Sequence, residues 1–253
     1  MLMRRCYVGV LICLTLVVSL LRIAVPAQAS PLAFAIDNVG GLYSIDLTTA
    51  TATLIGTTSM AGRPGGLALS SSGVLFATDW NFSSSFRSRL YSIDPETAET
   101  TAIGETGAGL IFALDFNGTT LFGSQFKRNP RISSMNTATG ESGGITNFGD
   151  SNLRIDALTA LSSSTMLVMT RLQGSHNVLR SIDINTGVTG VPLGASRGPV
   201  IGAMDFASDG NLYGVDFTGG VWQINPTTGE RTAIGNTGNH YWFGLAAIPS
   251  KSP

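Results

Sequence analysis

The sequence predicts an all-β fold: a five-bladed β-propeller of four-stranded antiparallel blades, closed by the C-terminal strand sitting in the N-terminal blade. Three observations carry this. A worn repeat returns about every 45 residues, a period that marks one supersecondary unit per repeat. No window beyond the first thirty residues carries a 3.6-residue apolar stripe, so helices are not expected. The two ends of the chain each hold the strand that the other lacks.

The first 29 residues belong to a different class from the rest. Arg4 and Arg5 precede the apolar run Val8–Leu21, and Pro26 leads into Ala27-Gln28-Ala29. That order is a secretory signal, with cleavage expected after Ala29. The apolar run has 14 residues, short of the roughly 20 a spanning helix needs. A secreted or periplasmic protein without a membrane segment is therefore expected. Both cysteines, Cys6 and Cys13, fall in the leader, so residues 30–253 rely on packing with no disulfide. They read as a single domain.

The repeats align on the apolar residue of "LYSID": Ile45, Ile93, Met135, Ile182 and Ile224, spaced 48, 42, 47 and 42 residues apart. Each copy ends in a Thr-rich turn and a final strand such as "TTAIG". Two short strands stand upstream in each unit, "IFALDFNG" then "TLFGSQF" in the third. They alternate apolar with small or polar residues and stop at Gly, Ser, Asn or Asp, as half-buried strands do. "PLAFAIDNVGGLYSID" opens with second, third and fourth strands but no first, and "YWFGLAAIPS" supplies a first strand with nothing after it. The blades then run approximately over 241–249 with 31–58, and over 65–107, 109–150, 153–196 and 199–238. Closure removes exposed sheet edges. It should bury Phe243, Leu245 and Ile248. Gly66, Ala113, Ala157, Ala203 and Gly244 align where inner strands crowd a central channel.

In such a ring the 1→2 and 3→4 hairpins lie on one face, and the 2→3 and 4→1 connections on the other. The second set is longer and irregular, and binding residues tend to sit on such loops. Removing Arg4, Arg5 and Arg22 from the 15 Lys and Arg leaves 12 basic residues. Ten of these fall on the irregular face, among them Arg63, Arg154, Arg171 and Arg197, against six acids there; the hairpin face has Arg231 against eight acids. A positive face concentrates anions near it.

Candidate ligand-binding residues on that face are Arg63, Asp79, Trp80, Arg154, Arg171, Arg197, Asp216, His240 and Trp242. Rings beside Arg and Asp suit sugars or anionic groups. Trp80, Phe126 and Phe217 repeat at one position, which also suits packing between blades; Trp242, beside His240, has no such counterpart. Asp37, Asp79 and Asp216 align at the ends of second strands, where turn capping is the alternative role. Asp115 and Asp205 align on innermost strands and are the candidate metal ligands, for Ca²⁺. Two carboxylates fall short of the six to eight oxygens Ca²⁺ takes.

No nucleophile elbow, zinc-binding helix or phosphate loop is present. The leading expectation is a monomeric binding propeller engaging a glycan, an anionic polymer or a protein partner. The alternative is a hydrolase or lactonase using Asp79, Asp216 and His240. Nucleic acid is not expected of an exported, mildly acidic chain. The pattern Leu-Tyr-x-Ile-Asp-x-x-Thr-Gly-x-x-Thr-x-Ile-Gly resembles the repeats of secreted bacterial propellers of unassigned function, related in style to NHL, WD40-like and quinoprotein-like propellers. The resemblance covers nearly all of residues 30–253 and implies the architecture and no cofactor: the tryptophan-docking pattern of quinoproteins is not found.

Overall fold

The computed structural model describes residues 30–81, 87–127, 130–147, 153–171, 176–194 and 198–249. The expected leader lies outside them. The first blade holds β1 (Leu32–Asp37), β2 (Gly41–Asp46) and β3 (Thr51–Thr57); the second β4 (Arg63–Leu69), β5 (Leu75–Trp80), β6 (Arg89–Ile93) and β7 (Thr100–Glu105). The third holds β8 (Ile111–Asn117), β9 (Thr120–Gln125), β10 (Arg131–Met135) and β11 (Ser142–Asn147). The fourth holds β12 (Arg154–Ala160), β13 (Thr165–Arg171) and β14 (Val178–Asp183). The fifth holds β15 (Ile201–Phe206), β16 (Leu212–Asp216), β17 (Gly220–Ile224) and β18 (Arg231–Asn236). The last strand, β19 (Trp242–Ala247), returns to the first blade in the order β19-β1-β2-β3. All ladders are antiparallel and five blades close the ring, as the repeats predict.

The seam is a full ladder. β1 pairs with β19 from Ala33↔Ala247 to Asp37↔Trp242, and the amide of Ile248 donates to Leu32 O at 2.8 Å. Phe243 and Leu245 are buried. Ile248 is half-buried, because it lies past the end of β19. In the fourth blade the outer strand is reduced to two isolated bridges, Leu179↔Leu193 and Ile182↔Thr189. Pro192, which has no N–H to donate, interrupts that stretch.

Five apolar clusters fill the ring. One joins Ile45, Val215, Val221 and Leu245 across the seam of the first and fifth blades; another joins Ile36, Leu67, Leu75 and Ile93 across the first and second. The channel is packed rather than open: Leu67, Leu114, Leu158, Met204 and Leu245 leave about 10 Å³ between them, room for one water at most. Gly66 is small because a Cβ there would run into the backbone of Ala113 and Leu114 in the next blade.

The repeat motif has a joint mechanical reading. In each 3→4 turn the first side chain (Asp46, Asp94, Asn136, Asp183 or Asn225) accepts two backbone N–H bonds from the residues two and three further on. The turn ends in a left-handed residue: Ala50 at φ 56°, Ala98 at 63°, Gly140 at 82°, Gly187 at 75° or Gly229 at 70°. That residue is pressed against the outer strand of the preceding blade. A Cβ on Gly56 would lie 2.8 Å from Thr97 O and 3.0 Å from the Ala98 Cβ. The glycine of "AIG" thus makes room for the neighbouring turn, and the blades interlock.

Candidate functional site

One irregularity recurs in all five blades and shapes the loop-bearing face. The ladder between first and second strands slips by one residue, at Ile36/Asp37, Pro64/Leu67, Ile111/Ala113, Ile155/Ala157 and Ile201/Ala203. A bulge of this kind re-aims a side chain. The extra residues are Phe243, Gly65, Phe112, Asp156 and Gly202. They ring the mouth of the filled channel.

Phe112 and Phe243 carry an aromatic cluster there. Phe112 stacks on Phe126, centroids 5.2 Å apart and planes 26° apart, and Trp80 lies 5.0 Å from Phe112 and 5.5 Å from Phe243. Phe217 stacks on Tyr241 at 4.6 Å and 11°. Tyr241 is 42% exposed, so this stack reaches solvent. The guanidinium of Arg154 sits 5.0 Å from the centroid of Phe126, within cation–π range. Beside the cluster, a cleft of about 410 Å³ opens between the first and second blades. Asn38, Thr58, Met60, Arg63 and Asn81 line it, and Trp80 belongs to both features.

The structure divides the expected binding residues. Arg63 is exposed and lines the cleft. Trp80 is buried, with its indole N–H donating to Ile111 O at 2.8 Å, so it packs between blades and lends an edge to the cleft. Asp79 and Asp216 are buried: Asp79 accepts from the Arg89 amide and the Tyr91 hydroxyl, Asp216 from the Thr218 and Gly220 amides and the Trp222 indole. Both tie their own 2→3 connections, the capping role, and Asp37 does the same through Val39 and Gly41. Trp242 is wholly buried and donates to Thr237 Oγ1 at 3.0 Å. Its missing counterpart in other blades reflects a local cage of Tyr43 and His240 rings rather than a solvent-facing surface. His240 lies over Trp242 with Nδ1 3.6 Å from Asp37 Oδ2. Asp79, Asp216 and His240 thus sit in three separate hydrogen-bonded sets on three blades. Arg197 lies outside the described residues.

Arg154 and Arg171 come together. They are direct cross-strand partners on β12 and β13. The bulge residue beside them, Asp156, is fully buried; Arg171 Nε lies 3.1 Å from its Oδ1 and the Asn177 amide donates to its Oδ2 at 3.2 Å. Burial pushes this carboxyl up to about 6, against the opposing pull of Arg171. Sequence reasoning counts Asp156 among the six acids of the irregular face without offering it as a site residue. Its strand alternation is ordinary, and the one-residue slip at Ile155/Ala157 leaves no mark in the repeat.

Asp115 and Asp205 occupy the other end of the channel and act as latches. Asp115 accepts from the Ala160 amide of the fourth blade, and Asp205 accepts from the Ala247 amide of the first, each at 2.8 Å. Thr159 Oγ1 donates to Asp205 at 3.1 Å. Burial, then mutual repulsion, holds Asp115 well above the usual carboxylate range; burial raises Asp205 to about 6. Among the described residues no three His, Cys, Asp or Glu side chains converge as metal ligands, and no helix is long and apolar enough to cross a membrane. Arg231, assigned to the hairpin face by sequence, instead reaches over the fourth blade, donating to Pro199 O at 2.7 Å and to the carbonyl of Asn177.

No family model matches the chain, and no curated protein matches it. Among solved structures it is similar to one from a nidogen/laminin complex, at 15% identity over 88% of this chain and 100% of that one, with a TM-score of 0.59. TolB from Acinetobacter baumannii matches at 18% identity over 83% of this chain and 52% of its own, TM-score 0.49. A putative 6-phosphogluconolactonase from Bacteroides uniformis matches at 12% over 89% and 69%, TM-score 0.46. This chain spans about half the length of the TolB structure. The first of these likenesses is one of fold.

Proposed function

We propose that the chain is an exported binding propeller that engages a glycan, an anionic polymer or a protein partner on the face formed by its 2→3 and 4→1 connections. One observation supports this above the rest: an aromatic platform, solvent-reaching at Tyr241, adjoins a cleft of about 410 Å³ with Arg63 on its wall. Concave apolar surfaces with a few placed polar groups are where ligands bind. Tyr supplies contact area at low entropic cost, and Arg adds charge-assisted hydrogen bonds.

A hydrolase or lactonase on the same face is the second reading, and the His240–Asp37 approach at 3.6 Å favours it. An array of neutral and acidic glycans, run beside a hydrolysis screen of the same compounds, separates the two. Retention without turnover, abolished by Tyr241→Ala, is the expected result. Turnover that disappears with His240→Ala would replace binding with catalysis.

A further inference from the structure

We propose that the crown of the fourth blade is a subsite for the carboxylate of an acidic sugar, gripped by Arg154 with Arg171 behind it. The inference rests on the binding role of this face and names the ligand group it would take.

The argument begins with a local cost. Like charges placed directly across an antiparallel ladder destabilise it, yet Arg154 and Arg171 are Cα partners at the end of β12 and β13. Among the described residues a single carboxylate, Asp156, pairs with this couple, and it engages Arg171 through Nε. Two guanidiniums share one buried acid, which leaves a positive charge at the mouth. Arg171 is thereby oriented, while Arg154 Nε is buried with no hydrogen-bond partner among the described residues.

The surroundings select the ligand. The Arg154 guanidinium carbon sits 5.0 Å from the Phe126 centroid, within cation–π range. The N–H fork of a guanidinium matches a carboxylate bidentately. Phe126 in turn stacks on Phe112, within the cluster that leads to Phe217 and the exposed Tyr241. A ring-shaped ligand bearing an acid therefore finds a stacking surface and a fork side by side. Lys127 and Arg131 add to the field: the Lys127 ammonium is pulled below its ordinary range by burial and then by the charge of Arg131. The other four bulge positions are Phe or Gly, so the fourth blade alone puts a charged group at the mouth.

The test has two arms on ¹⁵N-labelled protein. In the first, glucuronate is titrated while the arginine Nε–H resonances are followed, with glucose and methyl glucuronate ester as neutral controls. Glucuronate should shift one Nε–H signal that Arg154→Gln removes, and the controls should not. In the second, polygalacturonate, its methyl ester and polyglutamate are titrated calorimetrically. Polygalacturonate should bind at least about tenfold more tightly than its ester, since charge-assisted bidentate pairs are the strong ones. Arg154→Gln should remove that advantage, and Arg154→Lys should restore part of it if the fold is intact by thermal melting.

A glucuronate shift without polymer binding keeps the subsite and overturns the polymer reading of the face. Polymer binding that is unchanged in folded Arg154→Gln overturns the subsite and keeps that reading. Tighter binding of polyglutamate than of polygalacturonate overturns the sugar assignment. No shift and no binding overturns both.

Discussion

Gly104 of the second blade is seated directly on the carbonyl of Thr139 in the third, and a Cβ on Gly104 would overlap that oxygen. The obstacle is backbone, so it cannot rotate away. Gly104→Ala should therefore lower stability by about 2 kcal/mol, within the range for overpacking a tight interface. Urea titration should show a lower midpoint at an unchanged slope. A midpoint equal to that of the parent would mean the blades are not interlocked at this turn.

A chain ending at Asn239 removes β19, with its buried Trp242, Phe243 and Leu245, and uncovers the flank of β1. Each large side chain taken from the core costs about 1.5–3 kcal/mol, and a domain holds about 5–15 kcal/mol in total. Loss of cooperative melting is the expected outcome. A soluble truncation with a sharp transition would count against the closed seam.

Stability should fall as pH rises from 4 to past 6. The folded-state carboxyls of Asp115, Asp156 and Asp205 are all raised, two of them to about 6. A raised group contributes fully below its unfolded value near 4. That contribution is lost as pH climbs through the folded value. For Asp205 this amounts to on the order of 3 kcal/mol. Asp46, Asp183 and Asp209 are lowered and act oppositely, at more acidic pH. Chemical denaturation at half-unit pH steps measures the slope, and Asp205→Asn should flatten it between pH 5 and 7 whatever it does to stability itself.

Arg231 ties the fifth blade to the Asn177 carbonyl and side chain of the fourth, and holds the Pro199 carbonyl at the head of its own blade. Arg231→Lys keeps the charge but gathers its donors on one nitrogen, without the fork that spans Nη1 and Nη2. It should cost about 1–3 kcal/mol, the range for leaving buried polar groups unpaired. Hydrogen exchange should show the loss first at β14 and β18, and uniform loosening of all five blades would argue against a local tie.

The sequence announces what is periodic. Blade number, strand order and the seam follow from the spacing of Ile45, Ile93, Met135, Ile182 and Ile224, because the same turn chemistry must be met in each copy. The capping of Asp37, Asp79 and Asp216 is likewise legible as an alternative, since all three align at the same strand end. The mouth was not legible. A bulge takes a residue out of the ladder without changing residue type, so Asp156 could be placed among the acids of the irregular face but not paired with Arg171. Trp242 looked like a surface ring for lack of a counterpart, whereas the slip at Phe243 leaves it inside the seam. Arg231 reached a different face from its own turn because the outer strand of one blade lies against the next.

The bulge residues Phe243, Gly65, Phe112, Asp156 and Gly202 stand outside the ladder pairing of their blades. Each is nonetheless fitted to its surroundings: a Cβ on Gly65 would meet the Ile111 carbonyl and one on Gly202 the Phe217 ring, while Phe112, Phe243 and Asp156 are buried. The repeat therefore fixes where each blade breaks its ladder and leaves the residue at the break to be settled by the neighbouring blade.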